Sequence, residues 1–390
     1  MAATRRQKAV IIGAGIVGAA SAYFLAKAGF EVRVVEAAAP ASAASGAADG
    51  AVSVASKRPG PLMEAAIEGV ETYRQLHASG LLEGLFRQRS TFMLAQDEDE
   101  DEVLAAHAAA LAASGVEIRQ HGTKALHSVV SNLASGVRSA VEVRGEGHAI
   151  GYEIVNRLLV ASGATVMRGC HVHDINPADR SRSIDLLHTT AGKIEADVVV
   201  LAAGGGSASL LGLEGVLRPR KGQLLVTERA PSLNAGLPGS LMSCRYLMSK
   251  DSTEARMTQT GRRFGLVIDP LRTGQFLIGG TREETDDRGT DAGAARLLLR
   301  EAVALVPRLG ELRLLRSFAG VRTATVDGRP LIGRAPAFDN VIVATGFEGD
   351  GICLGPLTGR IVAALASGHA VPIDLAPFDP GRFGARRQAA

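Results

Sequence analysis

Gly13, Gly15 and Gly18 lie in the segment AVIIGAGIVGAASAYFLAKAGFEVRVVE, residues 9–36, which closes on Glu36. Their spacing is that of a turn built to hold a dinucleotide. Gly13 permits the tight turn, Gly15 lets the backbone approach a pyrophosphate, and Gly18 lets the following helix pack on the strand. The helix N-terminus, at Ile16 and Val17, offers N–H groups and a positive dipole to the phosphates. Glu36, ending the second strand, can accept hydrogen bonds from a ribose diol, and its charge would repel a 2′-phosphate, so NADP is not expected. A bare glycine pattern would say little in a glycine-rich chain. The order strand, glycine turn, helix, strand and acid makes this one specific.

Such residues need a parallel sheet to hold them. In GKIEADVVVLAAGGGSASLL, residues 192–211, a continuous apolar strand runs into Ala203, Gly204 and further small residues, the pattern of a strand inside a parallel sheet. The chain closes with NVIVATGFEGDGICLGPLTGRIVAALASG, again a strand, a glycine-rich turn and a helix. Helices are expected at 62–76, 103–114 and 151–164, with strands in STFMLAQ and VEVR between them. After residue 216, the pieces KGQLLVTE, GLVIDP and GQFLIGGTRE, a helix at 292–306 and the strand LRLLRSFAGV suit an antiparallel sheet roofing a pocket. The expected fold is α/β with added antiparallel β. A discontinuous Rossmann-like dinucleotide-binding domain takes residues 1–85, 150–215 and 325–390, and a substrate domain of mostly antiparallel sheet with flanking helices takes 86–149 and 216–324. The acidic run from Asp97 to Glu102 reads as a solvated turn leading into an Ala-rich helix, and the tail after Pro377 as a loose surface coil.

A chain of 390 residues with 46% hydrophobic content is long enough for about two domains and can fill both cores. The net charge of +3 comes with arginines spread along the chain, so no nucleic-acid partner is expected. Cys170, Cys244 and Cys353 are odd in number and far apart, which gives no disulfide framework, zinc knuckle or iron–sulfur ligand set, and none of the nine histidines is spaced for a metal. A reducing, cytoplasmic setting follows. Arg5, Arg6 and Lys8 before an apolar stretch imitate a secretory signal, but that stretch is accounted for by the nucleotide turn, and no apolar run is long enough for a transmembrane segment.

Several further pieces carry a resemblance: ASGAADG at 44–50, VVLAAGGGS at 199–207, RPRKGQLLV at 218–226, IGGTRE at 278–283, and AGVRTATVDGRPLIGRAP followed by VATGFEGDGICLGPLTG. Together with the N-terminal turn, they resemble the flavin-dependent amine oxidoreductases that include D-amino acid oxidase, glycine oxidase and sarcosine oxidase. The resemblance implies that the dinucleotide is FAD, with its ring beside the last glycine-rich turn at Gly349, Asp350, Gly351, Ile352 and Cys353. N–H groups at that helix start would stabilise the anionic pyrimidine end of a reduced flavin. It also implies FAD contacts from Ser45, Gly46, Val172, Ala203, Gly204 and Arg322. Some sarcosine oxidases attach flavin through a Cys where this chain has Gly320, so FAD is expected to be non-covalent. No Trp occurs anywhere, so the pocket wall, with Phe318 nearby, departs from relatives that use one. Within the family, VSVASKRPGPLM and GFEGDGI look similar to flavoprotein subunits of opine oxidases, D-hydroxyproline dehydrogenases and hydrogen cyanide synthases. That implies a heteromeric complex, with FMN at a subunit interface, an iron–sulfur cluster on a partner subunit, and membrane association only through the complex.

Oxidising an amino acid at its Cα–N bond moves a hydride to flavin N5 and leaves an iminium, so the amine must be neutral and the Cα–H held close to the ring. An arginine fork is the best anchor for the carboxylate, and Arg322 falls where glycine oxidase relatives keep theirs. Tyr246, by the same resemblance, lies where the roofing sheet contributes pocket residues. Arg245 beside it is a further candidate. Lys57 and Arg58 are candidates for a second carboxylate, which an opine has, and Glu348 with Asp350 for a cationic substrate arm. The expected activity is that of a catalytic subunit of a heteromeric amino acid or opine dehydrogenase. The alternatives are a stand-alone oxidase making hydrogen peroxide, an NAD-dependent opine dehydrogenase, and a flavin-bound scaffold subunit without its own active site.

Overall fold

The structure is a computed structural model describing residues 5–175, 182–251 and 263–384. Its centre is a six-stranded sheet in the order Leu331–Arg334, Val341–Thr345, Val198–Leu201, β1 (Lys8–Ile12), β2 (Glu31–Glu36) and Thr165–Arg168. All neighbours run parallel except Leu331–Arg334, which returns antiparallel to Val341–Thr345. Val198–Leu201 and Val341–Thr345 are buried along their whole length, as unbroken apolar strands covered on both faces must be. Because these strands come from three separate stretches of chain, glycine turns remote in sequence meet at the carboxyl ends of one sheet.

Helix packing fixes that meeting. Helix α1 (Ile16–Lys27) lies against the helix Gly351–Ser367, with Gly355 beside Ile16 and Gly359 beside Ala20. A Cβ at Gly359 would come within 2.5 Å of the Ala20 carbonyl carbon, and one at Gly355 within 2.7 Å of Ile16 Cγ1. The two helices therefore run side by side almost backbone to backbone, in the same direction, with their N-termini adjacent. The helix Gly151–Ser162 covers α1 from the other side.

The second sheet has eight strands in the order Leu314–Thr325, Leu217–Thr227, Phe276–Arg282, Arg263–Pro270, Ser240–Ser243, Thr91–Ala95, Ser139–Val143 and Ile118–Gly122. It is antiparallel apart from the parallel pairing of Ser240–Ser243 with Thr91–Ala95. Helix Ala292–Leu305 packs on it through Leu298, Ala302 and Leu305.

The acidic run differs from expectation. Asp97 accepts the Glu100 N–H as a cap, and Glu98 to Glu102 form the opening turns of a helix that continues to Ala113. Acidic side chains suit that positive end, so the run extends the helix where a turn was expected. The tail as far as Gly384 also departs, the residues after it lying outside the described ones: Phe378 is fully buried, and Arg382 bonds both carboxylate oxygens of Asp327 at 2.9 and 3.0 Å. One aromatic and one two-pronged ion pair suffice to pin a segment otherwise poor in apolar residues.

Candidate active site

β1 delivers the first glycine turn. Gly13 adopts φ +104°, and a Cβ there would collide with the Ala202 carbonyl, so only glycine fits. Gly18 lies against the Gly13 carbonyl and sets the height of α1 over the strand. Gly15 at the helix cap leaves its neighbour Ile16 to donate its N–H to Ser45 Oγ at 2.9 Å. Glu36 points back at this turn, with Oε2 accepting from Ala14 N–H and Oε1 from Ala38 N–H, both at 2.8 Å.

Two connected cavities open from here. The first, lined by Gly13, Gly15, Ile16, Val17, Glu36, Ser45, Ala203, Gly204 and Thr323, spans about 830 Å³ including space open to solvent. The second, of about 610 Å³, is lined by Ser45, Asp49, Gly222, Gly280, Gly320, Arg322, Gly349 and Ile352. Ile16, Ala44, Ser45, Glu348 and Gly351 belong to both, so one trough runs from Glu36 to the start of the C-terminal helix. That helix has no capping side chain, and its first turn faces the trough at Gly351 and Ile352.

Arg322 enters the second cavity from the eight-stranded sheet. Its Nη2 donates to the Thr281 carbonyl at 2.6 Å, and glycine at 222 makes room, since a Cβ there would overlap the guanidinium. Arg220 stands directly opposite in the antiparallel register, a like-charge pair that would repel. Glu348 relieves it, with Oε1 3.5 Å from Arg220 and 3.6 Å from Arg322. Burial opposes charge on Glu348, but Arg282, Arg322 and Arg220 outweigh it and hold the carboxyl at about 2. Glu348 keeps this place at φ +47°, a region that L-residues seldom occupy.

Other expected site residues lie elsewhere. Lys57 is buried and ion-paired with Asp350, so it is no surface cation awaiting a second carboxylate, and Asp350 is not open to a cationic substrate arm. Glu348 is likewise committed to arginines. Arg245 reaches away from the cavity to Glu100 at 2.8 Å and Glu301 at 3.3 Å, a structural pairing. Arg58 is exposed. Tyr246 stands outside the lining of both cavities. Its hydroxyl accepts from Arg282 at 2.6 Å and its ring packs over Gly265. Val172 sits in a small three-stranded sheet and lines neither cavity, Gly46 packs on the Ala41 carbonyl, and Cys353 is buried with Sγ 3.7 Å from the Ala66 carbonyl oxygen. The sequence did not single out Asp49, which lines the second cavity, or Arg282, whose charge acts on Glu348. Both fall in segments that carried the family resemblance, yet nothing in their spacing marks a role.

A family model described as FAD dependent oxidoreductase matches residues 8–365. The chain belongs to that family. Glycine oxidase from Geobacillus kaustophilus (strain HTA426) is 30% identical to this FAD-dependent oxidoreductase over 96% of the chain and 97% of its own length. The crystal structure of glycine oxidase from Geobacillus kaustophilus superposes with a TM-score of 0.84 at 28% identity, over 97% of this chain and 99% of that one. The hydrogen cyanide synthase subunit HcnC of Pseudomonas aeruginosa is 25% identical over 96% of the chain and 95% of its length. Membership of an FAD-dependent family overturns the NAD-dependent alternative. The trough suits FAD: a glycine-walled approach and Glu36 fit the adenosine diphosphate half, and the helix start at Gly351 faces the place left for the ring. Among the described residues, no helix is long and apolar enough to cross a membrane.

Proposed function

We propose that this chain oxidises the Cα–N bond of a small amino acid, glycine or an N-substituted glycine, and works as a self-contained oxidase. The observation that carries this reading is Arg322, a guanidinium in a cavity whose lining includes Gly222, Leu224, Gly280 and Gly320, at the end of a dinucleotide trough. When bound there, FAD supplies the two-electron acceptor for the Cα hydride. Arg322 grips the carboxylate, its orientation set by the Thr281 carbonyl. Glu348 balances part of the arginine charge so that one carboxylate suffices to fill the site. Gly222 and Gly280 leave space, while Leu224 supplies an apolar wall that keeps water from the reacting carbon.

The expected heteromeric opine or D-hydroxyproline dehydrogenase gives way to the oxidase alternative, because relatives aligned over the whole chain are named glycine oxidases. Lys57, the residue offered for a second carboxylate, is also already paired. The HcnC relative favours a second reading in which partner subunits, with FMN and an iron–sulfur cluster, take the electrons. The scaffold alternative leaves Arg322 without a purpose. The test is the purified chain alone, given glycine or sarcosine, with oxygen uptake and peroxide measured against reduction of an artificial dye. Peroxide in step with substrate supports the oxidase. Dye reduction without oxygen uptake points to the partner-dependent form, and flavin that no amino acid bleaches would sink both.

A further inference from the structure

Asp49 lines the same cavity as Arg322. Its Oδ1 accepts the Ala51 N–H at 3.1 Å, and its carbonyl oxygen lies 2.8 Å from His148 Nε2, so the residue is held by its backbone while Oδ2 makes no hydrogen bond among the described residues. The turn that carries it is anchored at its other end by Ser45 to the head of α1. A fixed carboxylate with one free oxygen and a fixed guanidinium thus share a small chamber. That is a matched pair for a zwitterion.

Resting on the amino-acid reading above, we propose that Asp49 receives the ammonium of the substrate whose carboxylate Arg322 holds, and accepts its proton. One N–H bond breaks and one O–H bond forms on Oδ2. An ammonium and a carboxylate become an amine and a carboxylic acid, and no electrons change hands. The nitrogen lone pair so released is the one that must stabilise the iminium when Cα is oxidised.

Two carboxyls face this cavity, and their surroundings drive them apart, which is how acid–base roles are divided between like groups. Glu348, ringed by Arg282, Arg322 and Arg220, stays ionised and serves as a counter-ion. Asp49 is pushed the other way, by burial first and by Asp269 second, against the Ala51 N–H, Arg322 and His148. Arg89, a further charge coupled to Asp49, is paired with Asp269. The His148 ring, its pKa pushed down to about 3 by burial and Arg89, holds the Asp49 backbone through the 2.8 Å contact of Nε2 with the carbonyl oxygen. Of the two, Asp49 is the carboxyl able to hold a proton closer to neutrality.

The test compares holoenzyme with Asp49 intact, Asp49→Asn and Asp49→Glu. Flavin bleaching by glycine and by sarcosine is followed without oxygen from about pH 6 to about pH 10, and binding of glycolate is read from the shift of the flavin band. Glycolate keeps the carboxylate and lacks the ammonium. Asp49→Asn is expected to slow bleaching about 100-fold or more near neutrality, with the deficit closing as pH rises past the ammonium pKa of the free substrate. Glycolate binding should be unchanged, and Asp49→Glu should restore part of the neutral-pH rate. A wild-type profile in Asp49→Asn, a deficit equal at every pH, or an equal loss of glycolate binding would overturn the proposal while leaving the amino-acid reading standing. Wild-type flavin that neither amino acid bleaches would overturn that reading and this proposal with it.

Discussion

Arg322 and Glu348 lie 3.6 Å apart on the wall of one cavity, so the side chain that grips a carboxylate already has a carboxylate beside it. At that distance the pair is an ion pair without a hydrogen bond, and Glu348 Oε1 is buried with no hydrogen-bond partner. Glu348 thereby steadies Arg322 without consuming its donors, and Nη1 remains available to an incoming anion.

Replacing Arg322 should therefore cost substrate binding more than protein stability. Arg322→Ala is expected to raise the glycine concentration for half-maximal bleaching about 100-fold. Arg322→Lys should recover little, because an ammonium lacks the planar fork. Anaerobic titration of the flavin band decides, and near-normal affinity in Arg322→Lys would show that a point charge is enough.

Acid should loosen the molecule at Glu348. Its carboxyl is held at about 2, below the ordinary 4.5, so the stabilisation is complete above the ordinary value and is lost as pH falls from there through about 2. The shift corresponds to on the order of 3 kcal/mol. Thermal denaturation of Glu348→Gln is expected to show a smaller drop in Tm on acidification than wild type, and parallel curves would contradict this.

The Lys57–Asp350 pair should behave as a buried ion pair. Lys57→Met alone strands Asp350 and is expected to cost about 3–5 kcal/mol, whereas the double replacement Lys57→Met, Asp350→Asn should recover most of it. Urea unfolding of the two variants measures this. Equal losses in both would show that Lys57 acts through packing.

Glu36 should govern retention of the cofactor. Its two oxygens accept the Ala14 and Ala38 N–H groups, which orients the carboxylate toward the trough. Glu36→Ala is expected to weaken FAD binding by about 1.5–3 kcal/mol, seen as flavin lost on gel filtration. Full retention would place the ribose elsewhere.

The βαβ unit with its glycines was readable in the sequence because each requirement is local: Gly13 needs its positive φ and Gly18 its close approach within a few residues of each other. Much of the second sheet was readable from its β-rich pieces after residue 216, although the strand Ser240–Ser243 was not. What escaped were relationships across long separations. Lys57 and Arg58 are neighbours in sequence, yet one is buried against Asp350 and the other exposed, and no local pattern states which. Arg245 and Tyr246 occupy successive positions of one helix, which turns their side chains to different sides and sends Arg245 to Glu100. Asp49 sits in a loop whose role depends on Arg322 arriving from a strand far along the chain.

The contact of Gly359 with Ala20 has a consequence for biosynthesis. The helix Ile16–Lys27 is made well before the helix Gly351–Ser367 that lies against it, so the two sides of the trough are synthesised far apart in time. A nascent chain stalled before Gly351 has no second helix to lie along the first, and closure of the trough must wait until residues 351–367 have been made.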